Sequence, residues 1–248
     1  MESGKHPYES VRNELAGTPF AAIRYIVETG STNADAAKLL GDDEYLGASI
    51  VAEHQSRGRG RKGRTWTSQP GSSLLVTTIL PHAVATTDLW AVPFWAALAV
   101  HAALAEHAIV SALCWPNDVL LDGRGKVAGI LCASTVTGNA ARVACGVGIN
   151  VRRPASTASI DPHAAFCDDV KAVDRAALLR ALLQQYDARL DLLASTQRTA
   201  AHWETAAGLP GARYRILKDG TTQAFDAIAL RLAHDGALVV ERAGREET

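Results

Sequence analysis

The chain has 248 residues, 48% of them hydrophobic, and a formal net charge of -1. That length can bury a full core with a small second domain beside it. The near-neutral balance, with pI ≈ 6.7, argues against a domain whose whole surface is built for nucleic acid. The first residues, MESGKHPYESVRNELAG, hold no apolar stretch of the secretory kind, so no export signal is expected. Cys114, Cys132, Cys145 and Cys167 show neither CxxC nor Cys/His ligand spacing. They read as reduced, mostly buried thiols of a cytoplasmic protein.

Ser31 and Thr32 precede ADAAKLL with Gly41 just beyond, the pattern of a short capped helix. Ala48 to Glu53 and Leu74 to Leu80 read as strands on either side of a glycine-rich stretch. Leu89 to Val110 is apolar enough to raise a membrane span, but Pro93, His101, Glu106 and His107 interrupt it. Charge inside a span is costly in lipid, so this is a core helix, with Asp88 as its cap. Four short strands follow, over Ala112–Trp115, Val119–Leu121, Val127–Ser134 and Arg142–Val151, with a hairpin turn at Asp122-Gly123. Asp174 then caps a long helix that places Leu178, Leu179, Leu182, Leu183, Tyr186, Leu190 and Leu193 on one face. Past Gly208-Leu209-Pro210-Gly211 the period changes to strands at Tyr214–Leu217, Ala224–Leu232 and Ala237–Val240, turning at Asp219-Gly220 and Asp235-Gly236. A β unit that small needs support from the larger domain.

The densest signal is QSRGRGRKGRTW, from Gln55 to Trp66. Arg57, Arg59, Arg61, Lys62 and Arg64 alternate with Gly58, Gly60 and Gly63, and no acid occurs between Glu53 and Asp88. Glycines let backbone amides turn inward as an anion cradle, and guanidiniums fit phosphate with paired hydrogen bonds. Four readings compete. Gly58, Gly60 and Gly63 fit the dinucleotide pattern GxGxxG, and Gly58 to Thr65 misses the P-loop pattern by one residue. Both require a helix to open at the last glycine, whereas Thr65 to Gly71 are turn and extended formers. A solvated basic face or nucleic-acid patch is the third reading. The fourth, a nucleotide-phosphate loop between strands of an antiparallel-type sheet, suits the flanking strands best.

Three further clusters carry chemical groups, each with an ordinary structural alternative. Trp115-Pro116-Asn117-Asp118 is a rigid turn bearing an amide and a carboxylate, or simply a turn closed by a buried Trp. Lys126 opens the apolar strand VAGILCAS after Gly123-Arg124-Gly125, as a site cation or a solvated strand end. Gly146 and Gly148 sit inside a strand pattern, a cost that makes sense where a ligand or another backbone passes close.

In this order the motifs resemble the biotin protein ligase family, which carries a GRGRxGRxW loop, a KWPND turn, KxAGIL and a GxGxN strand. Here these are Gly58 to Trp66, Trp115-Pro116-Asn117-Asp118, Lys126 to Leu131, and Gly146-Val147-Gly148-Ile149-Asn150, with Ser31-Thr32-Asn33 matching an upstream STN element. The resemblance runs from about residue 24 to about residue 240. Two departures stand out. Cys114 replaces the Lys that usually precedes the turn, and Ser31 lies too near the start for the winged helix of repressor-type members.

The resemblance implies an α+β fold: a mixed, largely antiparallel sheet with flanking helices, like the catalytic domain of class II aminoacyl-tRNA synthetases. A small SH3-like β domain follows, giving residues 1–206 and 207–248, the second expected to lack a final strand. It implies a two-step ligase acting on biotin and ATP with Mg²⁺. Biotinoyl-5′-AMP forms first and then acylates one Lys of a biotin carboxyl carrier domain. Lys126, Arg61 and Arg59 would stabilise the charge of adenylation, worth about 3–4 kcal/mol for each preorganised donor. Biotin would be held by Ser31, Thr32, Asn33, Gln55, Gly58, Arg59, Gly60, Arg61, Trp66 and Lys126, with Gly129, Ile130 and Leu131 as apolar wall. The adenylate would meet Arg59, Arg61, Arg64, Trp66, Asn117, Asp118, Lys126, Gly146, Gly148, Ile149 and Asn150, with Asp118 as a Mg²⁺ contact. A cytoplasmic monomer or homodimer with no DNA or membrane partner is expected. The rivals are a lipoate or octanoate ligase of the same superfamily and a ligand-responsive regulatory binding protein. An acyl-chain tunnel needs no polar end to satisfy a ureido group, and the neutral pI counts against a DNA-binding regulator.

Overall fold

A computed structural model describes residues 7–121, 124–156, 160–217 and 221–248. The turns expected at Asp122-Gly123 and Asp219-Gly220 lie outside the described residues. The chain runs α1 (Glu9–Glu14), β1 (Ile23–Thr29), α2 (Thr32–Ala37), β2 (Ser49–Gln55), β3 (Ser73–Ile79), β4 (Val84–Ala85) and α3 (Ala91–Glu106). It continues through β5 (Ser111–Cys114), β6 (Asp118–Leu121), β7 (Gly125–Thr137), β8 (Ala140–Asn150), α4 (Arg175–Ala188) and α5 (Thr196–Ala206). It ends with β9 (Arg213–Leu217), β10 (Ala224–Leu232), β11 (Leu238–Arg242) and β12 (Arg245–Glu247).

The large sheet has the order β1-β2-β3-β8-β7-β6-β5, with β4 paired to β8. Only β1 and β2 are parallel, with Ile23 beside Ser49. Their connection passes through α2, as a parallel pair requires. β3 is buried along its whole length between β2 and β8. That explains a strand pattern, SLLVTTI, that is continuous rather than alternating.

One face of the sheet is covered by α2, whose Ala36 and neighbouring Leu40 cluster with Ile50, Ile79 and Ala144. The other carries the main core, built on α3 and α4. Eleven of the sixteen residues of α3 are buried, which is why its apolar run has no polar stripe. Trp95 of α3 stacks on Tyr186 of α4 at 4.4 Å between centroids, and its indole N–H donates to the Arg189 carbonyl at 2.8 Å. Among the described residues no helix is long and apolar enough to cross a membrane.

Several helix ends differ from the sequence reading. Asp88 closes a short 3-10 turn, Thr86–Asp88, and Trp90 occupies the cap of α3 without a side-chain bond. Ser31 holds the cap position of α2, yet its hydroxyl caps nothing. Asp174 does cap α4, accepting from the amides of Ala176 and Ala177. That helix stops at Ala188, so Leu190 and Leu193 belong to a following 3-10 turn, Leu190–Ala194.

The second sheet is antiparallel in the order β12-β11-β10-β9. The last residues form β12, which pairs antiparallel with β11. It leans on the large domain as expected. Trp115 donates its backbone N–H to Tyr214 Oη at 3.2 Å and its indole N–H to the Gly236 carbonyl at 3.0 Å. Gly236, at φ +81, lies against Trp90 and Phe94 with no room for a Cβ.

Candidate active site

The basic loop between β2 and β3 closes on itself. The Gly60 amide donates to the Arg64 carbonyl at 2.7 Å, the Trp66 amide to the Gly58 carbonyl at 3.0 Å, and Arg59 bridges to Thr65. Lys62 (φ 56) and Gly63 (φ 74) form the left-handed tip. The segment after Gly63 is extended rather than helical, which removes the dinucleotide and P-loop readings. The loop is tied to the body where Arg61 donates to Asn117 Oδ1 at 3.2 Å. Asn117 is itself fixed, its Nδ2 donating to the Ile130 carbonyl at 2.8 Å.

Beneath the loop lies a cavity of about 360 Å³, floored by β7 and β8 and closed at one end by the start of α2. That end is polar and buried. Ser31 and Thr32 are 5% and 4% exposed. Gln55 Oε1 accepts from Thr32 N at 2.7 Å and Thr32 Oγ1 at 3.0 Å. Asn33 donates Nδ2 to the Leu131 carbonyl at 2.8 Å. Thr77 Oγ1 stands 2.8 Å from Thr32 Oγ1 and 3.1 Å from Asn33 Oδ1.

The strand glycines make room for side chains. Gly129 and Gly148 face each other across β7 and β8. A Cβ on Gly148 would stand 2.7 Å from the Trp66 indole, and one on Gly146 would stand 2.4 Å from Asn33 Oδ1. So Trp66 and Asn33 lie down on the bare strand. The strand expected to meet the adenylate at Gly146 and Gly148 carries these two side chains.

At the other end Lys126 pairs with Asp118 at 2.6 Å, and its Nζ lies 5.7 Å from the Trp66 ring centroid. Lys126 is part of β7, its amide donating to the His163 carbonyl and its carbonyl accepting from Ala165, both at 2.8 Å. Among the described residues Arg59, Arg61 and Arg64 have no carboxylate partner, and all three line the cavity. The site therefore carries three arginines without a carboxylate partner along one wall, the Lys126–Asp118 pair on its floor, and the Asp161 carboxylate at its edge. Cys114 sits opposite Asp118 in the β5–β6 register. Burial, and then the Asp118 carboxylate, push its pKa up to about 11. It is a neutral thiol and brings no charge to the place where the resemblance expects a Lys. Of the four cysteines, Cys145 and Cys167 are buried and Cys114 and Cys132 half-buried, all free thiols.

Most residues singled out in the sequence meet at this cavity. Ser31, Thr32, Asn33 and Gln55 form the polar end, and Arg59, Gly60, Arg61, Arg64 and Trp66 the lid. Asn117, Asp118, Lys126, Gly129, Ile130, Leu131, Gly146, Gly148 and Asn150 form the floor and far wall. Two do not reach it. Ile149 is fully buried in the core, because strand alternation turns it away from Gly148 and Asn150. Gly58 closes the loop base, where a Cβ would stand 2.4 Å from the Trp66 carbonyl. The structure adds Thr77 and a wall from Ile160, Asp161, His163 and Ala164. Nothing in the sequence marks these: Thr77 reads as one more β former, and residues 160–164 carry no motif.

The fold sets a wall of arginines from the basic loop beside a buried polar pocket. The sequence profile of the biotin/lipoate A/B protein ligase family matches residues 29–150. The biotin–acetyl-CoA-carboxylase ligase of Mycobacterium tuberculosis is 31% identical over 250 residues, covering 95% of this chain and 90% of the relative. That of Paracoccus denitrificans is 39% identical over 145 residues, 56% of this chain and 58% of the relative. The structure of biotin protein ligase from Aquifex aeolicus in complex with biotin and ATP superposes with TM-score 0.72 at 24% identity, covering 91% of this chain and 94% of that one. The chain belongs to the biotin/lipoate A/B protein ligase family.

Proposed function

We propose that this chain is a biotin ligase that forms biotinoyl-5′-AMP from biotin and ATP and passes biotin to one Lys of a carrier domain. The observation that carries the substrate choice is the buried polar end of the cavity, Gln55–Thr32–Thr77–Asn33. A ureido ring offers N–H and C=O groups to such an end, whereas an acyl chain would leave it unpaired, at a cost of several kcal/mol. Named ligases of this chemistry among the relatives support the reading.

The residues then divide the work. Joining a carboxylate to an α-phosphate brings two anions together, and Arg59, Arg61 and Arg64 line the wall above the floor where they meet. Lys126 leaves Asp118 to bridge carboxylate and phosphate. Asn117, Asn150 and the strand around Gly146 and Gly148 hold the nucleotide. Trp66 and Ile130 supply apolar wall. Closure of the loop keeps water from the mixed anhydride.

Among the described residues no three His, Cys, Asp or Glu form a metal cage. Mg²⁺ would be held by one carboxylate, Asp118, together with the substrate phosphates, and would neutralise polyphosphate charge. Residues 1–206 would carry the chemistry, and residues 207–248 the small β domain behind the Trp115 turn. The same reading has the chain act in the cytoplasm, as a monomer or homodimer, without a DNA partner.

Biotin-dependent exchange of labelled pyrophosphate into ATP tests the first step. Exchange should require biotin and fail with lipoate or octanoate. Exchange driven equally by octanoate would overturn the substrate choice.

A further inference from the structure

Thr77 is fully buried in the middle of β3, where its neighbours Leu74, Leu75, Val76 and Ile79 are apolar. Valine has nearly the same shape and would fill that place without a polar group to satisfy, so packing alone does not account for the hydroxyl. Its partners do. Thr77 stands across from Gly146 in the β3–β8 register, and the absent Cβ at Gly146 is what lets Asn33 lie within reach.

The hydrogens can be counted. Gln55 Oε1, Thr32 Oγ1, Thr77 Oγ1 and Asn33 Oδ1 form a chain with oxygen–oxygen distances of 3.0, 2.8 and 3.1 Å. The orientation of Asn33 is set by its amide nitrogen on the Leu131 carbonyl, so Oδ1 must face Thr77. Three oxygen–oxygen contacts share the hydrogens of two hydroxyls, because each hydroxyl donates once. However the rotors turn, one contact lacks a hydrogen, and two lone pairs face each other in a buried place. A ligand N–H directed at Thr32 Oγ1 or Asn33 Oδ1 supplies what is missing. A methylene, sulfur or ether oxygen does not.

We propose that Thr77 is a specificity-determining residue: its hydroxyl touches both Thr32 Oγ1 and Asn33 Oδ1 but can donate to only one of them, which leaves one cavity-lining acceptor without a hydrogen and so selects a ring that carries N–H groups. This rests on the biotin reading above and deepens it. The role is one of orientation. Thr77 fixes which way Thr32 and Asn33 face and takes no part in the attack on phosphate.

The test uses Thr77→Val, which keeps the β-branched shape, and Thr77→Ser, which keeps the hydroxyl, with initial rates of biotin-dependent pyrophosphate release. Thr77→Val should raise the KM for biotin about tenfold or more, with kcat and the KM for ATP within about twofold, and Thr77→Ser should restore the biotin KM. A second measurement needs no variant: a biotin analogue with a cyclic carbonate in place of the ureido ring should compete at least about tenfold more weakly than biotin on the unmutated chain. A biotin KM unchanged in Thr77→Val, or a carbonate analogue that competes as well as biotin, overturns the proposal while leaving the ligase reading in place. Absence of biotin-dependent pyrophosphate release from the unmutated chain overturns both.

Discussion

At the scale of single residues, Lys126 distinguishes a working site from an ordinary strand end. Its partner Asp118 is 27% exposed and Lys126 itself 33%, so the pair contributes little to stability. Placed on the cavity floor between Trp66 and Asp118, the ammonium has more to do with charge than with folding. Lys126→Ala should slow biotin-dependent pyrophosphate release by about 10²–10³-fold and leave the thermal melt nearly unchanged. Near-normal release would return Lys126 to the role of a solvated strand end. These residues were legible in the sequence because charge or an amide beside a turn or a strand end is unusual enough to be noticed. Thr77 was not, since a hydroxyl within SLLVTTI looks like any β former until folding brings Thr32 and Asn33 against it. Ile149 lies inside the glycine motif, but strand alternation turns its side chain into the core.

Among the elements, the basic loop makes the strongest claim. It is closed by its own backbone bonds and tied down through Arg61 and Asn117, while Arg57 and Arg59 to Thr65 are solvent-facing on a glycine-rich backbone. Such a segment gives up much conformational freedom when an anion orders it. Hydrogen exchange over Arg57 to Thr65 should slow clearly when biotin and ATP are added, and equal protection with and without them would count against a lid. Arg61→Ala should weaken a non-hydrolysable adenylate analogue by tenfold or more in calorimetry, about 1.4 kcal/mol. It should also let adenylate escape, so that bystander lysines are acylated more relative to the carrier Lys. Unchanged affinity would leave the loop a decorated surface. Element type was readable along most of the chain, because strand and helix periods differ. Helix ends were less so. Asp88 has the chemistry of a cap, but the preceding 3-10 turn and the burial of Trp90 and Leu89 against the core set where α3 begins.

For the whole molecule, stability depends on how the two sheets meet and on a histidine inside the core helix. Gly236 holds the small sheet on the large domain at φ +81, where a Cβ would stand 2.4 Å from Trp90. Gly236→Ala combines a left-handed backbone with a clash and should cost about 1–3 kcal/mol, lowering the melting temperature. A variant that melts like the unmutated chain would show that the sheets do not support each other. His101, half-buried on α3 with Nδ1 2.9 Å from Ser111 Oγ, has its pKa lowered from 6.5 first by burial and then by Arg189. A depressed folded pKa means the unfolded chain takes up the proton first. Stability is therefore full above pH 6.5 and falls as the pH drops through the folded value. His101→Gln should flatten that acid limb of the melting profile, and an unchanged slope would assign it to other groups. The two-sheet architecture was legible from the change of period after Gly211, whereas β12 was not, its three residues Arg245–Glu247 carrying no strand pattern of their own.

The central claim is that one cavity both activates biotin and delivers it to a single lysine. The chain is incubated with ATP and Mg²⁺, with biotin or lipoate, and with an apo biotin carboxyl carrier domain, and the carrier is read by intact mass. The expected result is one biotinyl group per carrier, dependent on ATP, abolished by replacing the acceptor Lys, and absent with lipoate. A carrier that gains lipoyl as readily as biotinyl, or gains neither, would contradict it.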